Sequence, residues 1–350
     1  MGKTESVMGW TCSYIPEEII HAAGFRPLRV LGNGGASHCE GKHAPSNYCS
    51  FIQNCTDALY NGEYDFLDGI VLANSCHAME FLFDAWRSYA PDSFVHMLDV
   101  PKIVGKEAEN LFAQRIRELI KQLELFFRIK ITTEALATSI AAYNITRKLF
   151  QRIYTLRRNP DVGVQGRDLA AIINRIHQLS IPEIHCELED LAERHDPSRG
   201  LAEQRGKKRV MLIGSVVANN RLTDMIEKEN AVVVFENSCD LYRYIDQPIE
   251  EECDPILAIS RRYLNKTRCP RMGSGNRIGA EDIGRIIEDY QIDGIVYHAF
   301  KYCSIHSIHA LTLKEQILDT GIPFLFVEGS YGMREDEQMR TRVGTFIDML

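Results

Sequence analysis

The sequence predicts an α/β protein built from two parallel-sheet lobes with a helical insert between them. Short apolar strands alternate with helices over residues 6–100 and again from residue 209 onward, whereas the segment between these regions lacks strands. Continuous Val/Ile/Leu strands are typical of sheets that are buried on both faces, and their alternation with helices favours doubly wound parallel sheets. We therefore predict a first lobe over 1–102, an insert and linker over 103–204, and a second lobe over 205–350.

The first lobe opens with a β-α-β unit. A strand over residues 6–11 precedes a helix that begins at Pro16, because Pro suits a first helical turn and the acidic Glu17 and Glu18 suit the positive end of the helix dipole. Gly24 is predicted to end this helix as a C-cap. The other elements predicted for this lobe are strands over 26–31, 68–74 and 94–100 and helices over 47–60 and 77–89.

The insert is predicted to contain four helices, since apolar residues recur in it at the helical period. Leu111, Ile116 and Leu119 belong to one apolar stripe of the first of these helices. The polar segment 195–208 is the best candidate for a linker. The second lobe repeats the alternation, with strands over 209–216, 231–237, 294–300 and 324–330 and helices over 220–228, 254–264, 281–290, 305–319 and 337–350.

Composition limits the function classes. A chain of 350 residues is long enough for about two domains, and its net charge of −8 gives no reason to expect nucleic acid as a partner. No apolar run reaches the roughly 18 residues of a membrane span, and the first residues do not have the form of a signal peptide, so we expect a cytoplasmic protein. In a reducing compartment, ten cysteines indicate free thiols, metal ligands or redox sites.

Three cysteines follow apolar strands at corresponding places in the sequence. Cys76, Cys239 and Cys303 each follow such a strand, and the tetrapeptides ANSC at 73–76 and ENSC at 236–239 differ in one residue. Ligands of open parallel sheets bind beyond the carboxyl ends of the strands, so this repetition predicts two half-domains that face a common site. The alternative is that each cysteine is a small buried apolar residue.

Iron–sulfur ligation is one chemistry that fits these thiols, because soft thiolates hold the irons of such clusters. The chain has no C-x2-C-x2-C run, so a cluster would take its ligands from distant segments. Cys49 is a further candidate, since a thiol at a helix start lies near unpaired N–H groups that favour the thiolate.

Two other chemistries remain open. Zinc would use histidines beside the cysteines, although no familiar zinc-ligand spacing is present. The candidate histidines are His38, His43, His298, His306 and His309. The other chemistry is a nucleophilic cysteine with a histidine base, which accounts for three corresponding cysteines less well than a cluster does.

Glu18 and His21 are candidates for acid–base work. They lie one helical turn apart in the first helix, where they can face a site beyond the first strand and exchange protons with a substrate. The alternative is a helix N-terminus that carries the acidic residues favoured by its dipole.

Several ordered blocks of the chain share one resemblance. They are GWTCSYIPEEIIHAAGFRPLRVLG, NYCSFIQNCTDALYNGEYDFLDGIVLANSCHAM, RVMLIGSVVANNRLTDMIEKENAVVVFENSC, CPRM, DGIVYHAFKYC and GIPFLFVEGSYGMREDEQMRTRVGTFIDML. Together they resemble the 2-hydroxyacyl-CoA dehydratase family, which also contains the benzoyl-CoA reductase subunits and the double-cubane cluster proteins. The resemblance covers nearly the whole chain outside the helical insert.

The resemblance implies two Rossmann-like (flavodoxin-like) lobes around an oxygen-sensitive iron–sulfur cluster. Each subunit of the plain dehydratases holds a [4Fe–4S] cluster through three cysteines, and the matching motif positions here are Cys49, Cys76 and Cys303. The fourth iron is left open for water or substrate. A double-cubane [8Fe–9S] cluster is the alternative and would need more thiolates. The cysteines available for it are Cys12, Cys39, Cys55, Cys239 and Cys269.

The resemblance also implies a hydro-lyase subunit that removes water from an (R)-2-hydroxyacyl-CoA, in a syn-type elimination, to give a 2-enoyl-CoA. One electron at very low potential reduces the thioester carbonyl to a ketyl radical, which expels the α-hydroxyl group. Loss of a β-proton follows, and the electron is recycled. Glu18 and His21 lie in the block nearest this chemistry and are the candidates for proton handling.

The implied partners are an acyl-CoA substrate, a homologous second subunit or a second copy of this chain, and a separate iron–sulfur activator. The activator, and not this chain, hydrolyses ATP to deliver the electron. Three related roles stay open: a double-cubane reductase of small molecules, a benzoyl-CoA reductase-like subunit, and an electron-relay subunit without its own substrate site.

Overall fold

A computed structural model of the chain describes residues 5–32, 42–176, 179–196, 206–217, 221–267, 269–272, 280–332 and 337–350. The chain divides into two compact units. The first comprises Met1–Ile145 with Gln247–Asn276, and the second comprises Thr146–Asp246 with Arg277–Leu350. Each unit contains a four-stranded parallel sheet, which confirms the predicted α/β class with two Rossmann-like lobes.

The elements alternate along the described residues much as the sequence predicts. In chain order they are β1 (Val7–Trp10), α1 (Glu17–Ala22), β2 (Arg26–Arg29), α2 (Ser50–Tyr60), β3 (Gly69–Ala73), α3 (His77–Tyr89), β4 (Phe94–Leu98), α4 (Lys106–Phe127), α5 (Thr133–Leu156), α6 (Gly166–Ile176), α7 (Ile181–Arg194), β5 (Lys208–Ile213), α8 (Leu222–Lys228), β6 (Ala231–Asn237), α9 (Tyr242–Ile245), α10 (Pro255–Asn265), α11 (Ala280–Tyr290), β7 (Gly294–Phe300), α12 (Ser304–Gln316), a 3-10 turn (Leu318–Thr320), β8 (Phe324–Gly329) and α13 (Glu337–Met349). Among the described helices, none is both long enough and apolar enough to cross a membrane.

The sheet of the first unit has the strand order β2-β1-β3-β4, and all of its neighbouring strands run parallel. Every residue of β1 and β3 is buried, as expected for central strands that are covered on both faces. The first crossover helix, α1, starts after the N-cap Pro16. Beyond its end, Gly24 has a φ of +84°, a left-handed conformation that glycine adopts without steric cost.

The sheet of the second unit has the order β6-β5-β7-β8, again with parallel neighbours. This order is the same connectivity as in the first unit. Strands β1, β2, β3 and β4 therefore correspond to β5, β6, β7 and β8. Cys76 follows β3 and Cys303 follows β7, so these two cysteines occupy corresponding places.

Cys239 does not share that place. It follows β6, whose counterpart in the first unit is β2 and not β3. The interpretation of three corresponding cysteines, which drew on the similarity of ANSC and ENSC, is therefore wrong for Cys239. The two tetrapeptides end strands at different positions in their sheets, because local sequence does not fix which strands become neighbours.

The boundaries of the two units differ from the boundaries predicted after residues 102 and 204. Between β4 and β5 the described residues form only helices and loops; α4 belongs to the first unit, α6 and α7 belong to the second, and the boundary falls within α5. Helix α10 returns to the first unit. The Ser260 hydroxyl donates to the Glu109 carbonyl at 2.6 Å, and Asn265 Nδ2 donates to the Glu109 carboxylate at 2.7 Å. These contacts fix α10 on α4.

Candidate functional site

The three cysteines assigned by resemblance share one local position, the N-cap of a helix. Cys49 precedes α2, Cys76 precedes α3 and Cys303 precedes α12, and none of the three is in a disulfide. The first N–H groups of a helix have no acceptor within the helix, so an N-cap sulfur lies where a thiolate is favoured. The sequence predicted such a position for Cys49 only, and α2 begins at Ser50, three residues later than the predicted start at residue 47.

Cys76 has two further thiols within electrostatic reach. Burial raises the pKa of the Cys76 thiol, and the backbone N–H groups of Met79 and Ala78 oppose that rise. The thiols of Cys12 and Cys269 raise the pKa further. Cys12 follows β1 and Cys76 follows β3, so the first unit gathers three thiols at the carboxyl edge of its sheet.

A buried phenol and two buried cations lie beside these thiols. The Cys269 N–H donates to the Tyr14 hydroxyl at 3.4 Å. Lys266 Nζ lies 4.6 Å from the centre of the Tyr14 ring, and the Arg271 guanidinium carbon lies 5.1 Å from it. Burial and then the Cys269 thiol raise the pKa of Tyr14 far above its ordinary value, so this phenol keeps its proton at neutral pH.

Sequence reasoning did not single out these three side chains. Two of them had a signal, because Tyr14 lies in the GWTCSYIPEE block and Arg271 lies in CPRM. Nothing in the local sequence marked Lys266, since its position beside Tyr14 depends on the packing of α10 in the first unit.

Cys49 lies near a different thiol, that of Cys55. Burial raises the pKa of Cys55 well above its ordinary value, and the Cys49 thiol raises it further, whereas Arg29 lowers it. Cys55 lies inside α2, whereas Cys49 caps this helix beside N–H groups that have no acceptor within it. Of these two cysteines, Cys49 is therefore the better ligand candidate.

The two histidines of α12 that follow Cys303 contact a buried tyrosine. Nδ1 of His306 lies 3.0 Å from the Tyr297 hydroxyl, and Nδ1 of His309 lies 2.8 Å from it. Both histidines are buried on the inner face of α12. His298 is also buried, and burial lowers its pKa to about 4. Tyr297 thus holds two of the histidines that the sequence offered as zinc ligands.

Two other zinc candidates cannot be placed together. The ring of His43 lies 3.2 Å from the Asp57 carboxylate and stacks on Tyr60. His38 and Cys39 lie outside the described residues. Among the residues that are described, no three His, Cys, Asp or Glu side chains form a group that could hold a metal ion.

The chemistry of the individual thiols nevertheless fits an iron–sulfur cluster. Thiolates hold the irons of such clusters, and N–H groups directed at the sulfurs tune their potential. The backbone N–H groups of Ala78 and Met79 lower the pKa of the Cys76 thiol, and Cys49 and Cys303 occupy the same N-cap position. Cys49 and Cys76 belong to the first unit and Cys303 to the second, so their joint use as ligands stays a prediction.

Glu18 and His21 lie in the first unit with separate partners. Glu18 is fully buried, and its carboxylate accepts a hydrogen bond of 2.9 Å from the Tyr263 hydroxyl. His21 is half-buried, and its Nδ1 lies 2.9 Å from the Ser139 hydroxyl. Burial lowers the pKa of His21, and the Glu18 charge opposes that shift. A neutral imidazole beside a carboxylate can accept a proton, but the catalytic role of this pair stays a prediction.

Comparison with known families shows which family the chain belongs to. Residues 12–350 match the model of the family described as 2-hydroxyglutaryl-CoA dehydratase, D-component. The chain belongs to this family. The match includes all three N-cap cysteines and nearly the full length of both units.

Curated relatives are similar over almost the whole chain at low identity. A benzoyl-CoA reductase subunit of Thauera aromatica is 24% identical, with 99% of this chain and 91% of the relative covered. The beta subunit of lactoyl-CoA dehydratase from Anaerotignum propionicum is 24% identical, with 96% and 90% covered. The (R)-phenyllactyl-CoA dehydratase beta subunit of Clostridium sporogenes is 22% identical, with 99% and 92% covered. The family is therefore one of enzyme subunits named for different CoA thioesters.

Proposed function

We propose that this chain is the iron–sulfur subunit of a 2-hydroxyacyl-CoA dehydratase, with Cys49, Cys76 and Cys303 as the ligands of a [4Fe–4S] cluster. The observation that carries the proposal is the family match over residues 12–350, within which each assigned cysteine is the N-cap residue of a helix. The correspondence of Cys76 and Cys303 in the two sheets supports it further.

The chain's own residues would do three things in this reaction. The thiolates would hold the cluster, and the orphan N–H groups at the N-termini of α2, α3 and α12 would stabilise their negative charge. When bound, the cluster supplies single-electron chemistry at low potential. His21, which burial keeps largely neutral at pH 7, would accept a proton, and Glu18 would stabilise the imidazolium that results.

The proposed partners are those that the reaction needs. The overall elimination of water from a 2-hydroxyacyl-CoA is redox-neutral, so one electron suffices for many turnovers once it has been delivered. We propose a separate ATP-hydrolysing iron–sulfur activator as its source, and a homologous second subunit or a second copy of this chain as the companion. A cytoplasmic location belongs to the same proposal, because such a cluster needs a reducing compartment.

The direct test is the iron and acid-labile sulfide content of protein purified without oxygen, together with its visible and EPR spectra. We expect about four irons per chain, which Cys76→Ser and Cys303→Ser should abolish. Cys186→Ser is the matched control, because Cys186 is an exposed thiol of α7 and should not affect iron content. About eight irons would instead favour the double-cubane reductase. A wild-type chain without iron after anaerobic reconstitution would contradict the proposal.

A benzoyl-CoA reductase-like subunit is the second candidate. It is favoured by the similarity to the Thauera aromatica protein, which is 24% identical over 99% of this chain. Both candidates predict a cluster, so iron content does not separate them. Assays of the chain with its activator and companion do, because the dehydratase forms a 2-enoyl-CoA without net reduction, whereas the reductase consumes electrons in proportion to product. An electron-relay subunit would show a cluster whose EPR signal does not respond to any acyl-CoA.

A further inference from the structure

Arg271 is a buried cation with an unusual set of partners. Its side chain is 6% exposed, which for a guanidinium requires compensation by hydrogen bonds and an opposite charge. One terminal nitrogen donates to the Val100 carbonyl at 2.9 Å, and the other donates to the Pro101 carbonyl at 3.3 Å and lies 3.6 Å from Met272 Sδ. These acceptors are all neutral.

The third guanidinium nitrogen has no acceptor among the described residues. Arg271 Nε is buried without a hydrogen-bond partner. Among the described residues, no carboxylate oxygen lies within the 4.0 Å of an ion pair with this side chain. The positive charge of Arg271 is thus desolvated and has no acidic counter-ion within the described part of the chain, which is an expensive state for a protein to maintain without a purpose.

The groups that can compensate this charge are sulfurs. Arg271 stands over the ring of Tyr14 at 5.1 Å, and the Tyr14 hydroxyl is bonded to the N–H of Cys269, two residues before Arg271. Tyr14 is also within electrostatic reach of Cys12, and both Cys12 and Cys269 are within reach of Cys76. The buried cation therefore lies in the same part of the first unit as these three thiols, with Tyr14 between them.

We infer that Arg271 is a positioning residue that supplies the counter-charge for the anionic thiolate site around Cys76, and so for the cluster that this site holds. The inference rests on the proposed function for the identity of the anion. Charge balance gives the reason for the sequence CPRM, since Cys269 and Arg271 of one short segment bring a thiol and its counter-ion to the same place. The effect on an electron carrier follows, because a fixed positive charge favours the reduced, more negative form.

The test compares neutral and charged substitutions by the midpoint potential of the cluster. Arg271→Gln keeps an N–H donor for the carbonyls but removes the charge, and it should shift the potential to more negative values. We expect at least a tenfold loss in the ratio of reduced to oxidised cluster at fixed potential, which is ~59 mV for a one-electron couple. Arg271→Lys should stay near the wild-type potential. The readout is an EPR-monitored redox titration of the anaerobically loaded chain.

Arg262→Gln is the matched control. Arg262 is also buried in the first unit, donates to the Gln247 carbonyl at 3.1 Å and stands over Tyr263 at 4.7 Å. This variant should keep the wild-type potential. If Arg271→Gln also kept it, Arg271 would only hold the loop after β4 and the inference would be overturned.

Thermal unfolding gives a second readout that does not need activity. In the cluster-free chain, Arg271→Gln should have a Tm equal to or above that of wild type, because it removes an uncompensated buried charge. In the loaded chain the same substitution should lower the Tm. An equal loss in both states would indicate a purely structural role and would overturn the inference. A wild-type chain that takes up no iron would instead contradict the proposed function, and it would leave the cluster-free comparison to decide whether the cation is uncompensated.

Discussion

The two units have the same sheet topology but bury different charges. In both, a cysteine follows the third strand of the sheet and caps the next helix, as Cys76 does before α3 and Cys303 before α12. In both, a buried arginine binds backbone carbonyls near the carboxyl ends of strands. Arg271 binds those of Val100 and Pro101, and Arg243 binds those of Gly214 and Asn237.

The surroundings of the two arginines differ. Arg271 lies beside Tyr14 and the thiols, whereas the charge of Arg243 acts on His306, whose pKa is lowered first by burial and then by this arginine. The second unit also contains a fully buried ion pair between Arg157 and Glu236. The comparison teaches that the common topology places one cysteine after the third strand of each sheet. The neighbouring side chains decide which charges surround that cysteine.

The largest effect should appear when Cys303, which has the same place in the sheet as Cys76, is compared with Cys239, which only has a similar local sequence. If the place after the third strand provides the ligand, Cys303→Ser should abolish iron binding. Cys239→Ser should leave iron content unchanged, although the ENSC segment that ends at Cys239 is more similar to ANSC at Cys76 than is the segment that ends at Cys303. Iron and sulfide analysis of both variants checks this. Equal loss of iron from the two variants would show that Cys239 belongs to the site and would favour a larger cluster.

The next effect concerns the buried ion pair of the second unit. Arg157 donates to both oxygens of Glu236 at 2.7 Å, and Tyr154 donates to the same carboxylate at 2.9 Å. Glu236→Leu leaves a buried guanidinium without its counter-ion, so we expect the free energy of unfolding to fall by about 3–5 kcal/mol. Urea unfolding followed by circular dichroism measures it. The double variant with Arg157→Met should recover most of the loss. If the losses of the two single variants added up in the double variant, the charge explanation would be contradicted.

Acid should distinguish the units through the buried histidines of the second. The folded state holds His298 neutral, since burial lowers its pKa to about 4, whereas the unfolded chain takes up a proton near pH 6.5. This contribution to stability is complete above pH 6.5 and is lost as the pH falls toward 4. Between pH 7 and pH 5 His298 should contribute a loss of about 2 kcal/mol, and His298→Leu should remove that contribution.

Tryptophan fluorescence makes the acid experiment specific to a unit. The chain has two tryptophans, Trp10 and Trp86, and both lie in the first unit. The unfolding midpoint followed by circular dichroism should therefore fall more between pH 7 and pH 5 than the midpoint followed by tryptophan fluorescence. Coincident shifts by the two probes would mean that the units unfold as one cooperative structure.

The smallest effect should come from a helix cap in the first unit. The carboxylate of Asp254 accepts the Leu257 N–H at 2.8 Å at the start of α10, the helix that returns to this unit. Asp254→Ala should lower the free energy of unfolding by about 1 kcal/mol, detected by tryptophan fluorescence, because one helical N–H loses its acceptor. Asp254→Asn keeps an acceptor and should retain most of the stability. A larger loss in the asparagine variant than in the alanine variant would contradict the capping explanation.

Much of the fold could be predicted because its signals are local. Strand and helix periods identified all eight strands of the described structure and the helical stretch between β4 and β5, and only the short α9 was missed. Strand bounds differ by a few residues, as for β1 at Val7–Trp10, which was predicted over 6–11. The cysteines after β3 and β7 were visible for the same reason, since a strand and the turn that ends it are contiguous in sequence.

By itself, the sequence determined the fold class, the family and the position of each cysteine relative to its own strand, because these depend on residues that are close along the chain. Only the tertiary structure decided that Cys239 follows the counterpart of the second strand, that α10 packs on α4, and that Tyr14, Lys266 and Arg271 meet beside the thiols of Cys12, Cys76 and Cys269. Those contacts join segments separated by up to about 250 residues. Strand order and long-range packing are chosen by the burial of whole surfaces, and no local period records that choice.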